Sequence, residues 1–313
     1  MSKILITGGA GFIGAHLVAR LVESDREIVV LDNFKRSSRE TLGQWVAEGR
    51  VRLVEGDIRR FDDVAGALLG CQTVYHLAAQ SNVMGAVDDP DYSIATNVLG
   101  TFNVLRAAAE AGVKRVVFTS SREVYGEAQV LPVSEREPLL AKNPYGASKV
   151  AGEAYCRTFA STHGLRVAVV RLANVYGAGD SGRVIPLWLA AAQEGRDLQI
   201  YGGEQVIDFL WVGTAVDALL HAAEGGLPGP TNIGSGIGTK IVDLATRIIE
   251  VTKSASKIVR TPPREIEVAK FVADVQLMRS LGLRPELDPL GHLGELVAAY
   301  RPSGSPAPRK TAN

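Results

Sequence analysis

The run TGGAGFIG, Thr7 to Gly14, constrains the fold more than any other part of the chain. It follows KILIT (Lys3 to Thr7), a short β-rich run. It opens a stretch from Phe12 to Glu23 in which Ile13, Leu17 and Leu21 share one helical face. A lone Gly9-x-Gly11-x-x-Gly14 match is weak, but a match between a strand and a helix is specific. Glycines let the chain turn tightly and let its backbone come close to a ligand. The helix N-terminus then offers unpaired N–H groups and a favourable dipole to an anion such as a pyrophosphate.

The pattern repeats. EIVVLD (Glu27 to Asp32), VRLVEGD (Val51 to Asp57), TVYHLAA (Thr73 to Ala79), RVVFTS (Arg115 to Ser120) and RVAVVRL (Arg166 to Leu172) are apolar runs without clean alternation. Strands buried on both faces of a parallel sheet read this way. Helical stretches separate them. One carries Ile94, Val98, Phe102, Leu105 and Ala109 in period and ends near Gly112; another runs from Tyr145 to His163 and ends at Gly164. Six strands alternating with helices predict an α/β fold, a doubly wound parallel sheet.

After Arg171 the pattern becomes mixed: a helix over 185–194, a strand LQIYG (Leu198 to Gly202), helices over 212–223 and 240–252, a strand-like TNIGSG, and a last helix near 290–300. These boundaries predict a cofactor-binding unit over 1–173, rejoined by elements near 207–235. A smaller, interleaved mixed α/β lobe over 174–206 and 236–301 faces the substrate. The tail 302–313, rich in Pro, Ser and charge, is expected to be disordered.

Composition narrows the function. Lys plus Arg equals Asp plus Glu at 34 each, so no basic excess points to nucleic acid. No apolar run approaches the roughly 18 residues that span a bilayer, and the N-terminus lacks a secretory pattern. The two cysteines, Cys71 and Cys156, have no ligand spacing, and the five histidines are scattered. Free thiols in a reducing cytoplasm and no metal site are expected.

Asp32 ends the second apolar run 18 residues after Gly14. A carboxylate there accepts from an adenosine ribose diol and repels a 2′-phosphate, which favours NAD over NADP. Tyr145 and Lys149 lie four apart and share a helix face. A free tyrosine with a pKa of about 10 is a poor base at neutral pH. A nearby ammonium and a nicotinamide cation favour the phenolate. Ser121, at the carboxyl edge of a strand, can bond the same substrate oxygen. The set fits removal of a proton from an alcohol whose carbon gives up a hydride.

These residues resemble the extended short-chain dehydrogenases/reductases that act on nucleotide sugars, UDP-glucose 4-epimerases above all. The runs that carry the resemblance include TGGAGFIG, LDN (Leu31 to Asn33), GDIR (Gly56 to Arg59), HLAAQ (His76 to Gln80), NVLGT (Asn97 to Thr101), SSREVYG, NPYGASK, RLANVYG (Arg171 to Gly177) and PPREIE (Pro262 to Glu267). The resemblance implies a Rossmann domain with bound NAD. Its pocket would use Gly8, Gly11, Phe12, Ile13, Gly14, Asp32, Asn33, Asp57, Ile58, Leu77, Ala78 and Asn97, with Tyr145 and Lys149. Asn174, Arg183, Tyr201, Arg264 and Glu267 would hold the nucleotide sugar, a UDP-sugar. Ser121, Tyr145 and Lys149 would oxidise C4 to a transient ketone and let the hydride return to its other face.

Two departures leave the reaction open. Ile207 stands where the family pattern has a phosphate-binding arginine, and Arg122-Glu123 follow Ser121. Glu123 matches the base that dehydratases use at C5, so dehydration or decarboxylation stands beside epimerisation. Glu123 paired with Arg122 would instead be structural, and Arg122 could also meet a substrate carboxylate. A non-catalytic NAD sensor is a further reading, opposed by the intact Tyr145 and Lys149. The helices over 93–111 and 145–163 present alanines, and the resemblance implies that they pair in a homodimer.

Overall fold

Side chains within one strand of a doubly covered sheet go alternately into two different cores, so both sets must be apolar. Lys3–Thr7 shows this: Ile4 and Ile6 join one buried cluster and Leu5 the other. In Glu27–Asp32, Ile28 and Val30 go one way, Val29 and Leu31 the other. This is why those runs read as apolar without alternation.

The structure, a computed structural model, describes residues 2–300. The expected disordered tail lies outside the described residues. In chain order the strands are β1 (Lys3–Thr7), β2 (Glu27–Asp32), β3 (Val51–Glu55), β4 (Cys71–His76), β5 (Arg115–Ser121), β6 (Arg166–Leu172), β7 (Asn174–Tyr176), β8 (Leu198–Tyr201), β9 (Val206–Trp211), β10 (Thr231–Ile233), β11 (Gly238–Lys240) and β12 (Ile258–Thr261). A seven-stranded sheet has the order β10-β6-β5-β4-β1-β2-β3. All its pairings are parallel. Helices cover both faces, as a doubly wound Rossmann sheet requires. The seventh strand, β10, pairs with the end of β6. The order reverses between β1 and β4, and the crevice at their carboxyl ends is the expected ligand position.

The later half builds a second layer. β9 lies between β11 and β7 in a three-stranded sheet, and β12 pairs with β8. Helices Val184–Gln193, Ile241–Thr252 and Leu293–Ala299 share a third apolar cluster with these strands. The helix Val212–Glu224 returns to the large sheet, adding Ala215, Val216 and Leu219 to the first cluster.

The stretch expected as one helix over 93–111 is interrupted. Pro90–Ile94 and Thr101–Glu110 are α-helical, and Ala95–Gly100 is a π-helical turn. Such turns insert one residue per bulge and re-aim side chains. The alanine face also differs from the expectation. Ala107 and Ala108 are buried, because helical packing on the sheet needs small residues there, and Ile94 and Leu99 stand exposed instead.

Candidate active site

A cleft of about 890 Å³ opens over the carboxyl ends of β1, β4 and β5 and extends between the two layers. At its base Gly8 has a positive φ of 71°, and a Cβ there would come within 2.7 Å of the Ala78 backbone. At Gly14 a Cβ would lie 2.4 Å from the Gly8 carbonyl oxygen. Only glycine lets the turn sit this close to the neighbouring loop and to the helix it opens. Gly11, Phe12, Ile13, Leu77 and Ala78 line the same wall.

Asp32, at the end of β2, accepts from the Ala10 and Phe34 amides at 3.0 Å each and from the Ser37 hydroxyl at 2.8 Å. It faces the cleft with Asn33 and Ile58. A carboxylate has about four acceptor positions, so room remains for a ribose hydroxyl. Asp57 does not line the cleft; its neighbours Gly56 and Ile58 do. It accepts from the Asn33 amide at 3.0 Å and from the Arg59 guanidinium at 2.7 Å, and so positions Asn33. Burial pushes its carboxyl up, but Arg59 and Asn33 outweigh this and hold it at about 2.

Asn97 is likewise behind the wall. Sited in the π-helical turn, it accepts from the Gln80 amide at 2.8 Å. It donates to the Gln80 carbonyl at 3.0 Å and to the Ser148 hydroxyl at 2.9 Å. Its side chain ties the cleft wall to the helix of Tyr145. Beside it His76 sits between the hydroxyls of Thr7 and Thr101. Burial and the Lys149 charge hold that imidazole neutral, at about 3.

The helix Pro144–His163 carries Tyr145 and Lys149. Asn143 caps its start, accepting from the Gly146 amide at 2.9 Å, and Pro144 supplies the first helical residue. Ser121 ends β5, and it lines the cleft together with Tyr145. Burial raises the Tyr145 phenol above its ordinary value, and Arg183 and the Ser121 hydroxyl oppose that rise. Lys149 donates to the Thr119 carbonyl at 2.8 Å, and its ammonium lies 5.9 Å from the Tyr145 ring centre. Burial lowers it to about 8.

Glu123 lines the cleft next to Ser121. Both its oxygens are engaged, one by Arg122 at 2.7 Å and one by the Asn143 amide at 2.7 Å. At the far end stand Asn174, Arg183, Tyr201, Arg264 and Glu267. The side-chain amide oxygen of Asn174, Oδ1, is buried with no protein partner. Arg264 lies 3.8 Å over the Tyr201 ring and pairs with Glu267 at 3.2 Å. Arg183 pairs with Asp180 at 3.2 Å. Ile207, on β9, supplies an apolar patch of wall.

Residues 4–234 match the model of the NAD dependent epimerase/dehydratase family. The chain belongs to that family. A putative UDP-glucose 4-epimerase of Methanocaldococcus jannaschii is 35% identical over 91% of this chain and 94% of its own length. A UDP-glucuronic acid decarboxylase of Arabidopsis thaliana is 34% identical over 82% of this chain and 76% of its own. Among solved structures, the UDP-glucose 4-epimerase of Thermotoga maritima with UDP-glucose has a TM-score of 0.90 at 32% identity, covering 95% of this chain and 98% of that one.

The family's cofactor is NAD, and the residues fit it. The glycine cradle has no space for side chains, the helix Phe12–Leu21 points its N-terminus at the cleft floor, and Asp32 stands at the end of the next strand. Several lining residues have no fingerprint of their own in the sequence. Leu187, Trp188 and Gln199 reach the cleft only because the second layer folds over the sheet, and Thr96 reaches it from the π-helical turn. Gln80 lay within the HLAAQ run, and its position after β4 was the available signal. Among the described residues no cluster of three metal-ligating side chains occurs, and no helix is long and apolar enough to cross a membrane.

Proposed function

We infer that the chain is an NAD-dependent epimerase of a nucleotide sugar, with a UDP-sugar as substrate, acting at C4. One observation carries the reading: Ser121, Tyr145 and Lys149 face the glycine cradle within a single cleft whose far end holds Asn174 and two arginines. When bound, NAD accepts and returns a hydride. The proton is the protein's part. Tyr145 takes it from the sugar hydroxyl, Ser121 bonds the same oxygen, and Lys149 supplies the positive charge that favours the phenolate. Lys149 spends one of its three donors on Thr119, which fixes the ammonium and leaves two for a ribose or a water. The Asn174 oxygen, Arg183 and Arg264 are the groups that would bind the nucleotide part.

Decarboxylation or dehydration from the same ketone is the second reading, favoured by Glu123 beside Ser121. Its engagement by Arg122 and Asn143 counts against free use as a base. A panel of nucleotide sugars followed by NMR separates the two. Epimers without loss of water or CO₂ support the first reading, and loss of either overturns it.

The same reading includes a cytoplasmic homodimer. Ile94, Leu99 and Tyr155 are exposed at 55%, 56% and 38% on the two helices proposed to pair. Light scattering at micromolar concentration tests it, and a monomer would refute it.

A further inference from the structure

The turn that joins β7 to the helix Val184–Gln193 is held by side chains from both layers. Its residues Gly179, Asp180, Ser181, Gly182 and Arg183 line the cleft. Gly179 and Gly182 have positive φ, and a Cβ at either would meet nothing within 4 Å. Glycine serves conformation there rather than close packing, so the turn's own residues do little to fix its shape. Hydrogen bonds from outside do that. From the cofactor side, His16 Nε2 lies 2.8 Å from the Ala178 carbonyl oxygen. From the other layer, the Tyr300 hydroxyl lies 2.8 Å from the carbonyl oxygens of both Gly177 and Asp180. Those two residues are also joined to each other, the Asp180 amide donating to the Gly177 carbonyl at 3.3 Å.

Tyr300 is itself anchored. It follows the helix Leu293–Ala299, whose Leu293 and Leu296 are buried in the third apolar cluster, and its carbonyl accepts from the Gln193 amide at 2.9 Å. Gln193 is the last residue of the helix that Arg183 precedes. Tyr300 therefore fastens that helix at its far end and the turn before it at the near end. Burial raises its phenol above the ordinary value, so it stays a donor. The turn passes this fixing on to Arg183. Asp180 is only 5% exposed, and its carboxylate accepts from the Ser181 amide at 2.9 Å and from the Arg183 guanidinium at 3.2 Å. A guanidinium already held in place loses less freedom when it meets an anion. We propose that Tyr300 is a positioning residue for nucleotide-sugar binding: by clasping the turn at Gly177 and Asp180 it aims Arg183, through Asp180, at the phosphates of the nucleotide. This rests on the nucleotide-sugar reading above. Ser121, Tyr145 and Lys149 stand on other elements, so the clasp bears on binding and not on proton transfer.

Calorimetric titration of NAD-loaded protein with UDP tests it by binding, and steady-state kinetics on the best sugar of the panel tests it by turnover. Tyr300→Phe removes one oxygen and keeps the ring. It should weaken UDP binding and raise KM about three- to tenfold, the worth of one neutral hydrogen bond that preorganises the site, with kcat within about twofold and NAD content unchanged. A residue that only stabilised the fold would leave the UDP affinity of the folded protein alone. In an Arg183→Gln background, which keeps a donor for Asp180, the same change should alter UDP affinity by less than about 1.5-fold, because its route is already cut. Undiminished UDP affinity in Tyr300→Phe, an equal loss in both backgrounds, or a fall in kcat with KM unchanged would overturn the proposal and leave the nucleotide-sugar reading standing. If the wild type did not bind UDP, that reading would fall and this inference with it.

Discussion

Lys149 Nζ donates to the Thr119 carbonyl at 2.8 Å, joining the helix Pro144–His163 to the carboxyl end of β5. The bond holds a buried ammonium at the cleft floor, between the Phe118 and Tyr145 rings.

Burial places the Lys149 pKa at about 8, below its ordinary 10.5. Between those pH values the unfolded chain holds one proton more than the folded one, so stability from this group rises with pH; below 8 the full cost remains. Urea unfolding of the wild type and Lys149→Met at pH 7 and pH 10 should show the wild type gaining on the variant at the higher pH. A constant difference would contradict the burial argument.

Tyr145→Phe removes the proposed proton acceptor and keeps the ring. Turnover on the best substrate of the panel should fall about 10²- to 10⁴-fold, with an unchanged circular dichroism spectrum. Unchanged turnover would remove Tyr145 from the mechanism.

Gly14→Ala should empty the cofactor site. Its Cβ would lie 2.4 Å from the Gly8 oxygen and 2.7 Å from the Gly9 Cα, so backbone has to move. The expected result is loss of any copurified absorbance near 260 nm, with about 1–3 kcal/mol lower stability. Full cofactor retention would show that the cradle tolerates a methyl group.

Glu153 and Arg171 form a two-bond ion pair at 2.9 and 2.7 Å, both nearly fully buried, beneath Ser120. Arg171 also donates to the Tyr125 hydroxyl at 2.8 Å, which in turn donates to Asn232 at 2.7 Å. Arg171→Met strands the carboxylate and should cost about 3–5 kcal/mol in urea unfolding. Replacing both partners by apolar residues should cost less, and equal costs would mean that packing, not charge, dominates there.

The strands β1 to β6 and the glycine turn were legible because they are local. An apolar run needs only its own residues to show that both faces will be buried, and a glycine between strand and helix needs only its neighbours. Ser121, Tyr145 and Lys149 were legible for the same reason, as two short runs on defined elements. Asn97 and Asp57 were harder. Each sits in a cofactor-type motif, yet each turns its side chain to Gln80 or Asn33, which are distant in sequence or reached across a loop. The π-helical turn and the buried Ala107 and Ala108 escaped the periodicity because a single inserted residue shifts a helical face.

By itself the sequence determined the doubly wound sheet and the cofactor class, and it singled out the three residues proposed for the proton chemistry, all written in nearest-neighbour patterns. Only the tertiary structure decided which of their neighbours meet. It brought Glu123 against Arg122 and Asn143, left one end of Arg122 without a partner, and laid Ile207 into the cleft wall. Those are contacts between side chains whose geometry is set by the packing of two layers, and packing is a property of the whole chain.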